Sequence, residues 1–240
     1  MSPLLLVAHG SADPRAAAAN RALARAVRAR HRGPVRVAFL DHAGPRPDAA
    51  VRALAAEGWS GVTVVPLLLT AAYHARVDLP AVLDRVGAGL DIRVADVLGP
   101  VGGLVPAGLL GALRRRLVFP FDAVVLAAAG TRDRAALSTV EHAARALGAR
   151  LGVPCRPAYA SASAPTGGEA VRALRAAGAR RVAVASYFLA PGRLYDAVAT
   201  SARDAGAVAV AEPLGDAPDL ARVVLARAAA ARPRMAAVAA

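Results

Sequence analysis

Val51-Arg-Ala-Leu-Ala-Ala-Glu-Gly58 returns as Val171-Arg-Ala-Leu-Arg-Ala-Ala-Gly178, 120 residues further along the 240-residue chain. At the same displacement Ala8-His9-Gly10-Ser11 lies over Ala128-Ala129-Gly130-Thr131, and Val62-Thr63-Val64 over Val182-Ala183-Val184. Ala95-Asp-Val-Leu98-Gly99 resembles Ala211-Glu-Pro-Leu214-Gly215, with the spacing slipped to 116. One constant offset across several segments is the signature of an internal duplication. The two copies join near Arg114–Phe121, giving an N-terminal half over residues 1–117 and a C-terminal repeat over 118–240.

Each half reads as alternating strands and helices. In the first, Pro3–Ala8, Val35–Leu40, Val62–Leu69 and Ile92–Val97 are short apolar runs expected to be strands. Between them Ala16–Arg30, Pro47–Glu57 and Ala75–Val86 are rich in helix formers, and Asp13-Pro14 is a suitable helix start because Asp caps and Pro suits the first turn. Gly102–Leu117 supplies the connecting helix. The second half predicts strands at Ala123–Ala128, Cys155–Ala160, Arg181–Leu189 and Ala207–Ala211. Its helices are expected at Arg134–Leu151, Glu169–Ala177, Leu194–Ala205 and Pro218–Ala231. Strands this uniformly apolar are covered on both faces, so the fold class is α/β, two similar parallel-sheet halves with helices on either side.

Composition narrows the function classes. Hydrophobic residues make up 56 % and charged residues 20 %, enough apolar material for a sizeable core and incompatible with intrinsic disorder. A single cysteine, Cys155, excludes a disulfide framework and a cysteine-rich metal centre. No apolar run is long enough to span a bilayer and the first residues lack a basic signal region, so a cytoplasmic location without membrane attachment is expected. The net charge of +13 comes from 30 arginines against 17 acidic residues, with no lysine. Nucleic-acid binding would want aromatics interleaved with a basic face, and aromatics are only 4 % and scattered. The charge reads first as Ala/Arg-rich composition, then as attraction for a polyanionic small molecule.

In open parallel sheets, ligands bind beyond the carboxyl ends of the strands. There the first half delivers His9-Gly10-Ser11, then Asp41-His42, then Thr70-Ala71-Ala72-Tyr73-His74. All three loops are expected on one edge, so His9, Asp41 and His74 can converge. The repeat acts as an internal control: His9 and His74 correspond to Ala129 and Leu194, so the scaffold persists without either imidazole. That pattern points to a working site in the first half and a degenerate one in the second. Two histidines and a carboxylate without thiolate suit Fe²⁺, Co²⁺ or Ni²⁺ with open positions, whereas a closed structural zinc site wants four protein ligands. Gly10 and Ser11 at the strand-to-helix turn also offer backbone N–H groups to a carboxylate or phosphate.

Leu5-Leu-Val-Ala-His9-Gly-Ser11, Phe39-Leu-Asp41 with Pro45, and Val64-Val-Pro-Leu-Leu-Leu-Thr-Ala-Ala-Tyr-His74-Ala-Arg-Val-Asp78-Leu-Pro80 together resemble the sirohydrochlorin chelatase family. Its members are class II chelatases that insert metal to complete sirohaem or begin anaerobic cobalamin synthesis. The longer ones are two-fold repeats with the site in the N-terminal half. The resemblance implies that His9 and His74 contact the metal and that His9 removes pyrrole protons. Asp41 stands where the family usually has Glu, one methylene longer, and Gly44 where many members carry a second Glu. Asp41 is therefore expected to reach the metal through water, with His42 as an alternative ligand. Gly10, Ser11, Asp41 and the stretch Leu69, Thr70, Ala71, Ala72, Tyr73 would contact the macrocycle. Arg15, Arg76 and Arg193 lie near the expected site edge and can meet its carboxylates.

The resemblance implies sirohydrochlorin as partner, a divalent metal as substrate (Fe²⁺ first, Co²⁺ second) and no tightly bound cofactor. A monomer or a homodimer fits equally. Two other readings stay open: a metal or tetrapyrrole carrier without turnover, and a histidine-dependent phosphate-transfer enzyme. The second usually has Arg directly before His-Gly, where this chain has Ala8.

Overall fold

The computed structural model describes residues 2–71, 78–86, 90–118 and 120–233. The first repeat runs β1 (Leu4–Ala8), α1 (Pro14–Arg28), β2 (Val35–Phe39), α2 (Pro47–Ala56), β3 (Gly61–Pro66), α3 (Leu79–Leu83), β4 (Asp91–Val94) and α4 (Ala107–Arg116). The second runs β5 (Ala123–Ala128), α5 (Arg134–Leu151), β6 (Cys155–Tyr159), α6 (Gly167–Ala176), β7 (Val182–Ser186), α7 (Arg193–Asp204), β8 (Ala209–Val210) and α8 (Pro218–Ala229), with a short β9 (Arg232–Pro233) after it. The strands form two sheets, ordered β2-β1-β3-β4-β9 and β6-β5-β7-β8. Every pairing is parallel except β9, which lies antiparallel on β4.

Alternation along the central strands explains the layering, because successive side chains leave a strand on opposite faces. On β1, Leu4, Leu6 and Ala8 enter one cluster while Leu5 and Val7 enter another with α2 and α3. On β5, Val124, Leu126 and Ala128 join the first of these clusters, while Ala123, Val125 and Ala127 pack with α6 and α7. The shared cluster also takes the apolar faces of α1, α4, α5 and α8. The molecule is thus an outer helix layer, a sheet, a common helical layer, a second sheet and a second outer layer.

Within the common layer the repeats exchange helices. The C-terminal α8 packs on α1 and β3 of the first repeat, and α4 of the first repeat packs on α5 and β7 of the second. Arg227 on α8 donates to the Gly99 carbonyl at 2.7 Å, and Arg116 on α4 donates to the Leu214 carbonyl at 3.0 Å. Asp219, buried at the start of α8, receives Arg115 from α4 and Arg222 from its own helix.

Several expected elements differ in extent. β4 ends at Val94 and not Val97, β7 at Ser186 and not Leu189, and β8 keeps only Ala209–Val210 of Ala207–Ala211, because the chain leaves the ladder as loop beyond the paired residues. The connecting helix begins at Ala107 rather than Gly102, because Gly102 and Gly103 form a turn closed by the Val101–Leu104 bridge and Pro106 precedes the first helical turn. The third strand ends at Pro66 and not Leu69, since residues 67–70 turn away as loop. The helix expected at Ala75–Val86 is described only from its later part, where α3 covers Leu79–Leu83; residues 72–77 lie outside the described residues.

Asp122 fastens the entrance of β5: its carboxylate accepts the N–H groups of Arg180 and Arg181, each at 2.9 Å. These bonds, Arg181 first, hold its pKa below the ordinary carboxylate range. A depressed folded-state pKa contributes stability above the unfolded value and loses it as pH falls through the folded value. Asp122→Asn is therefore expected to lower Tm at pH 7, with the gap to wild type closing below about pH 4, as thermal melts across pH would show.

Candidate functional site

The loops after β1 and β2 are locked together by backbone. Leu40 N–H donates to the Ala8 carbonyl at 2.9 Å and Asp41 N–H to the His9 carbonyl at 2.8 Å, extending the ladder beyond the strand ends. Gly10 then lies flat on the Asp41 carbonyl with φ +97°; a Cβ there would sit 1.8 Å from that oxygen. His42 adopts φ 59°, a left-handed conformation that L-residues avoid without compensation. The second repeat keeps every one of these features: Ala160 and Ser161 N–H donate to Ala128 and Ala129, Gly130 has φ +86°, and Ala162 has φ 58°. The backbone of the site belongs to the repeat, and the side chains distinguish the copies: His9 against Ala129, Asp41 against Ser161, His42 against Ala162.

The start of α1 is also duplicated. Ser11 Oγ accepts the Asp13 N–H at 3.1 Å and the Asp13 carboxylate accepts the Arg15 N–H at 2.9 Å; Thr131 and Asp133 repeat the pattern before α5. Ser11 is thus first a helix-start residue. Arg15 does not stand free for a ligand: its guanidinium bridges Asp13 and Asp196, both at 2.6 Å, tying α1 to α7. The two carboxylates raise the Arg15 pKa further, and Arg15 holds Asp13 below the usual range.

Between the two repeats these loops line a cleft of about 590 Å³. The first repeat contributes His9, Gly10, Ser11, His42, Leu69 and Thr70 among others. The second presents a mostly apolar wall that includes Ala129, Leu137, Val140, Phe188 and Leu189. Tyr187, fully enclosed, donates its hydroxyl to the Leu69 carbonyl at 3.2 Å, so the loop after β3 is anchored by the opposite repeat. Burial pushes that phenol's pKa well above its ordinary value, leaving it a fixed donor.

His9, Gly10, Ser11, Leu69 and Thr70 are therefore brought together at the cleft. Ala71 is described but does not line it, and His74, Ala72, Tyr73 and Arg76 lie outside the described residues. Arg193 lines the cleft from the second repeat. Asp41 contributes its backbone to the His9 loop, while its side chain, 60 % exposed, turns to His42: it accepts the His42 N–H at 2.8 Å and lies 3.4 Å from the ring. That N–H and the His42 and His9 imidazoles hold its carboxyl below the usual range. Among the described residues no group of three His, Cys, Asp or Glu forms a ready metal cage. Among the described residues the histidines that line the cleft are His9 and His42, and the Asp41 carboxylate lies against His42.

Among the polar residues on this cleft that the sequence did not single out are Asn20 and Tyr159. Asn20 interrupts the apolar stripe Ala16, Leu23, Ala24, Val27 of α1, and Tyr159 ends strand β6. A polar side chain at a core position of a helical stripe is the signal that marks Asn20.

The same fold occurs in SirB from Bacillus subtilis with Fe³⁺, 23 % identical over 95 % of this chain and 94 % of that one, with a TM-score of 0.81. It occurs in the sirohydrochlorin chelatase SirB from Bacillus subtilis subspecies spizizenii in complex with cobalt, 23 % identical over 95 % and 94 % of the chains, with a TM-score of 0.77. CbiX, the terminal enzyme of sirohaem biosynthesis in denitrifying bacteria, is 21 % identical over 94 % of this chain and 99 % of that one, with a TM-score of 0.65. No curated protein sequence matches. The CbiX family model matches residues 3–107 and again 123–231, once on each repeat, and the chain belongs to the CbiX family.

Proposed function

We infer that this protein inserts a divalent metal ion, Fe²⁺ first and Co²⁺ second, into sirohydrochlorin, as a step of sirohaem or cobalamin biosynthesis. The observation that carries this reading is the cleft of about 590 Å³ with His9 at a strand end on one side and an apolar wall on the other. A flat macrocycle needs such a wall for its ring faces, and ring-nitrogen chemistry needs an imidazole at one edge. Family membership supports the reaction class, and the iron and cobalt bound by the SirB structures support the choice of metals.

Insertion replaces two pyrrole N–H protons with the metal dication and releases two protons. His9 accepts a ring proton as general base, a role imidazole side chains commonly fill. In this reading His9 and His42 exchange water on the incoming metal for imidazole nitrogen, which binds these ions while still releasing them. In this reading His74 is a further ligand, and Asp41 acts through His42 or a bridging water. The +13 net charge raises the local concentration of a polycarboxylate substrate.

The test is anaerobic absorbance of metal insertion into sirohydrochlorin with Fe²⁺, Co²⁺ and Ni²⁺, against the spontaneous rate. Catalysed insertion is expected, and the relative rates rank the metals. Stoichiometric binding without acceleration would replace the enzyme with a carrier.

A further inference from the structure

Among the described residues, the cleft holds two buried polar side chains, Asn20 and Tyr159, and the Tyr159 hydroxyl has no hydrogen-bond partner. Asn20 is 6 % exposed and lines the cleft from α1. Tyr159 is 3 % exposed and lines the cleft from the end of β6. Buried polar groups are nearly always satisfied, because leaving one unpaired destabilises the fold. The neighbouring Tyr187 obeys that rule through Leu69.

The repeat shows that neither group serves the scaffold. Val140 occupies the position of Asn20 in the second copy, and Phe39 occupies the position of Tyr159 in the first. Each site is apolar in the other copy, on the same elements of the same fold. Two separate polar departures, one per repeat, meet on a single cavity. Among the described residues the carboxylate that lines this cleft, Asp13, is already engaged by Arg15. Asn20 offers an NH₂ and Tyr159 an O–H that burial and the Glu141 carboxylate keep protonated. Two neutral donors in a low-dielectric wall suit an anionic acceptor.

We propose that Asn20 and Tyr159 receive peripheral carboxylate oxygens of the macrocycle, one donor from each repeat, and so fix which way round the ring sits against His9. This rests on the sirohydrochlorin reading above. Apart from its ring nitrogens, that substrate presents carboxylates as its polar groups, and an unsymmetrical ring must be oriented before its N–H protons meet one imidazole. Asn20 and Tyr159 are positioning residues, and the Tyr159 hydroxyl is left unsatisfied until substrate arrives.

The test compares wild type with Asn20→Val, Tyr159→Phe and Asn20→Asp. Metal-free sirohydrochlorin is titrated by absorbance and fluorescence, insertion is resolved into kcat and KM, and the unliganded proteins are melted. Asn20→Val and Tyr159→Phe, each carrying the other repeat's residue, are expected to weaken binding about 10-fold while Tm stays level or rises. Asn20→Asp keeps the shape but meets carboxylate with carboxylate. It is expected to bind weakest of the three, recovering as pH is lowered towards 5. A purely structural role would instead lower Tm and spare the nearly isosteric Asp. If wild type binds and inserts while all three variants match it, the subsite is overturned and the chelatase reading stands. Failure of wild type to bind sirohydrochlorin at all overturns both.

Discussion

His9→Ala is expected to slow metal insertion by about 10²–10⁴-fold, the range a positioned general base contributes, while Tm moves by no more than about 2 °C. The two halves of that expectation come from different observations. His9 is exposed at the end of β1 and faces the cleft, so removing its imidazole opens no cavity in the core. The second repeat already carries Ala129 on the same backbone, with the same hydrogen bond from the residue after its paired strand and the same left-handed glycine following it. The fold therefore accommodates alanine there without rearrangement. The chemical loss follows because the second repeat supplies no replacement imidazole: Ala129 and Leu194 stand at the positions of His9 and His74. Anaerobic insertion assays with Fe²⁺ and Co²⁺, run beside a thermal melt, check both parts. A rate within threefold of wild type would move the base elsewhere, with His42 as the next candidate on the same cleft. A Tm drop of several degrees would make His9 part of the scaffold and remove the argument from the repeat.

The duplication, the parallel sheets and the loop carrying His9 were legible in the sequence because each rests on local pattern. Apolar runs such as Ala123–Ala128 mark buried strands, and a constant offset marks a repeat whatever the packing. The helix exchange was not legible. Repetition says that α4 and α8 are alike in role, but not which copy each packs upon; that depends on which apolar face finds a partner in three dimensions. Here α8 closes over α1 and β3 while α4 closes over α5 and β7. The direction of the Asp41 side chain was not legible for a related reason. Its position at a strand end is a backbone property, and the backbone does sit beside His9. Its side chain, however, is short enough to fold back onto the His42 N–H, and that local bond competes with any reach into the cleft. Asn20 was not legible as a site residue, because a run of helix formers over Ala16–Arg30 does not say which helix face meets the cleft.

Gly10→Ala is expected to be the most damaging single-methyl change to the site, lowering stability by about 3 kcal/mol or more and Tm by roughly 6–12 °C for a chain of this length. Two penalties add. The backbone holds φ +97°, outside the regions open to an L-residue, and the new Cβ would lie 1.8 Å from the Asp41 carbonyl oxygen, a backbone atom with no rotamer to yield. Relief requires the loops after β1 and β2 to separate, which breaks the Asp41-to-His9 bond and carries His9 away from the cleft, so insertion activity falls with Tm. Gly130→Ala provides the matched control. It has φ +86° and a Cβ position 1.9 Å from the Ser161 carbonyl, so its stability loss is expected to be of similar size. Its loops carry Ala129 and Ser161 instead of His9 and Asp41, so what it disturbs is the wall that faces the ring and not the base. With both variants assayed well below their melting temperatures, Gly10→Ala is expected to depress kcat and Gly130→Ala chiefly to raise KM. Equal losses of kcat from both glycines would mean that the second repeat does chemistry of its own. A Gly10→Ala protein with wild-type Tm would show that the two loops are not held as tightly as the 1.8 Å approach requires.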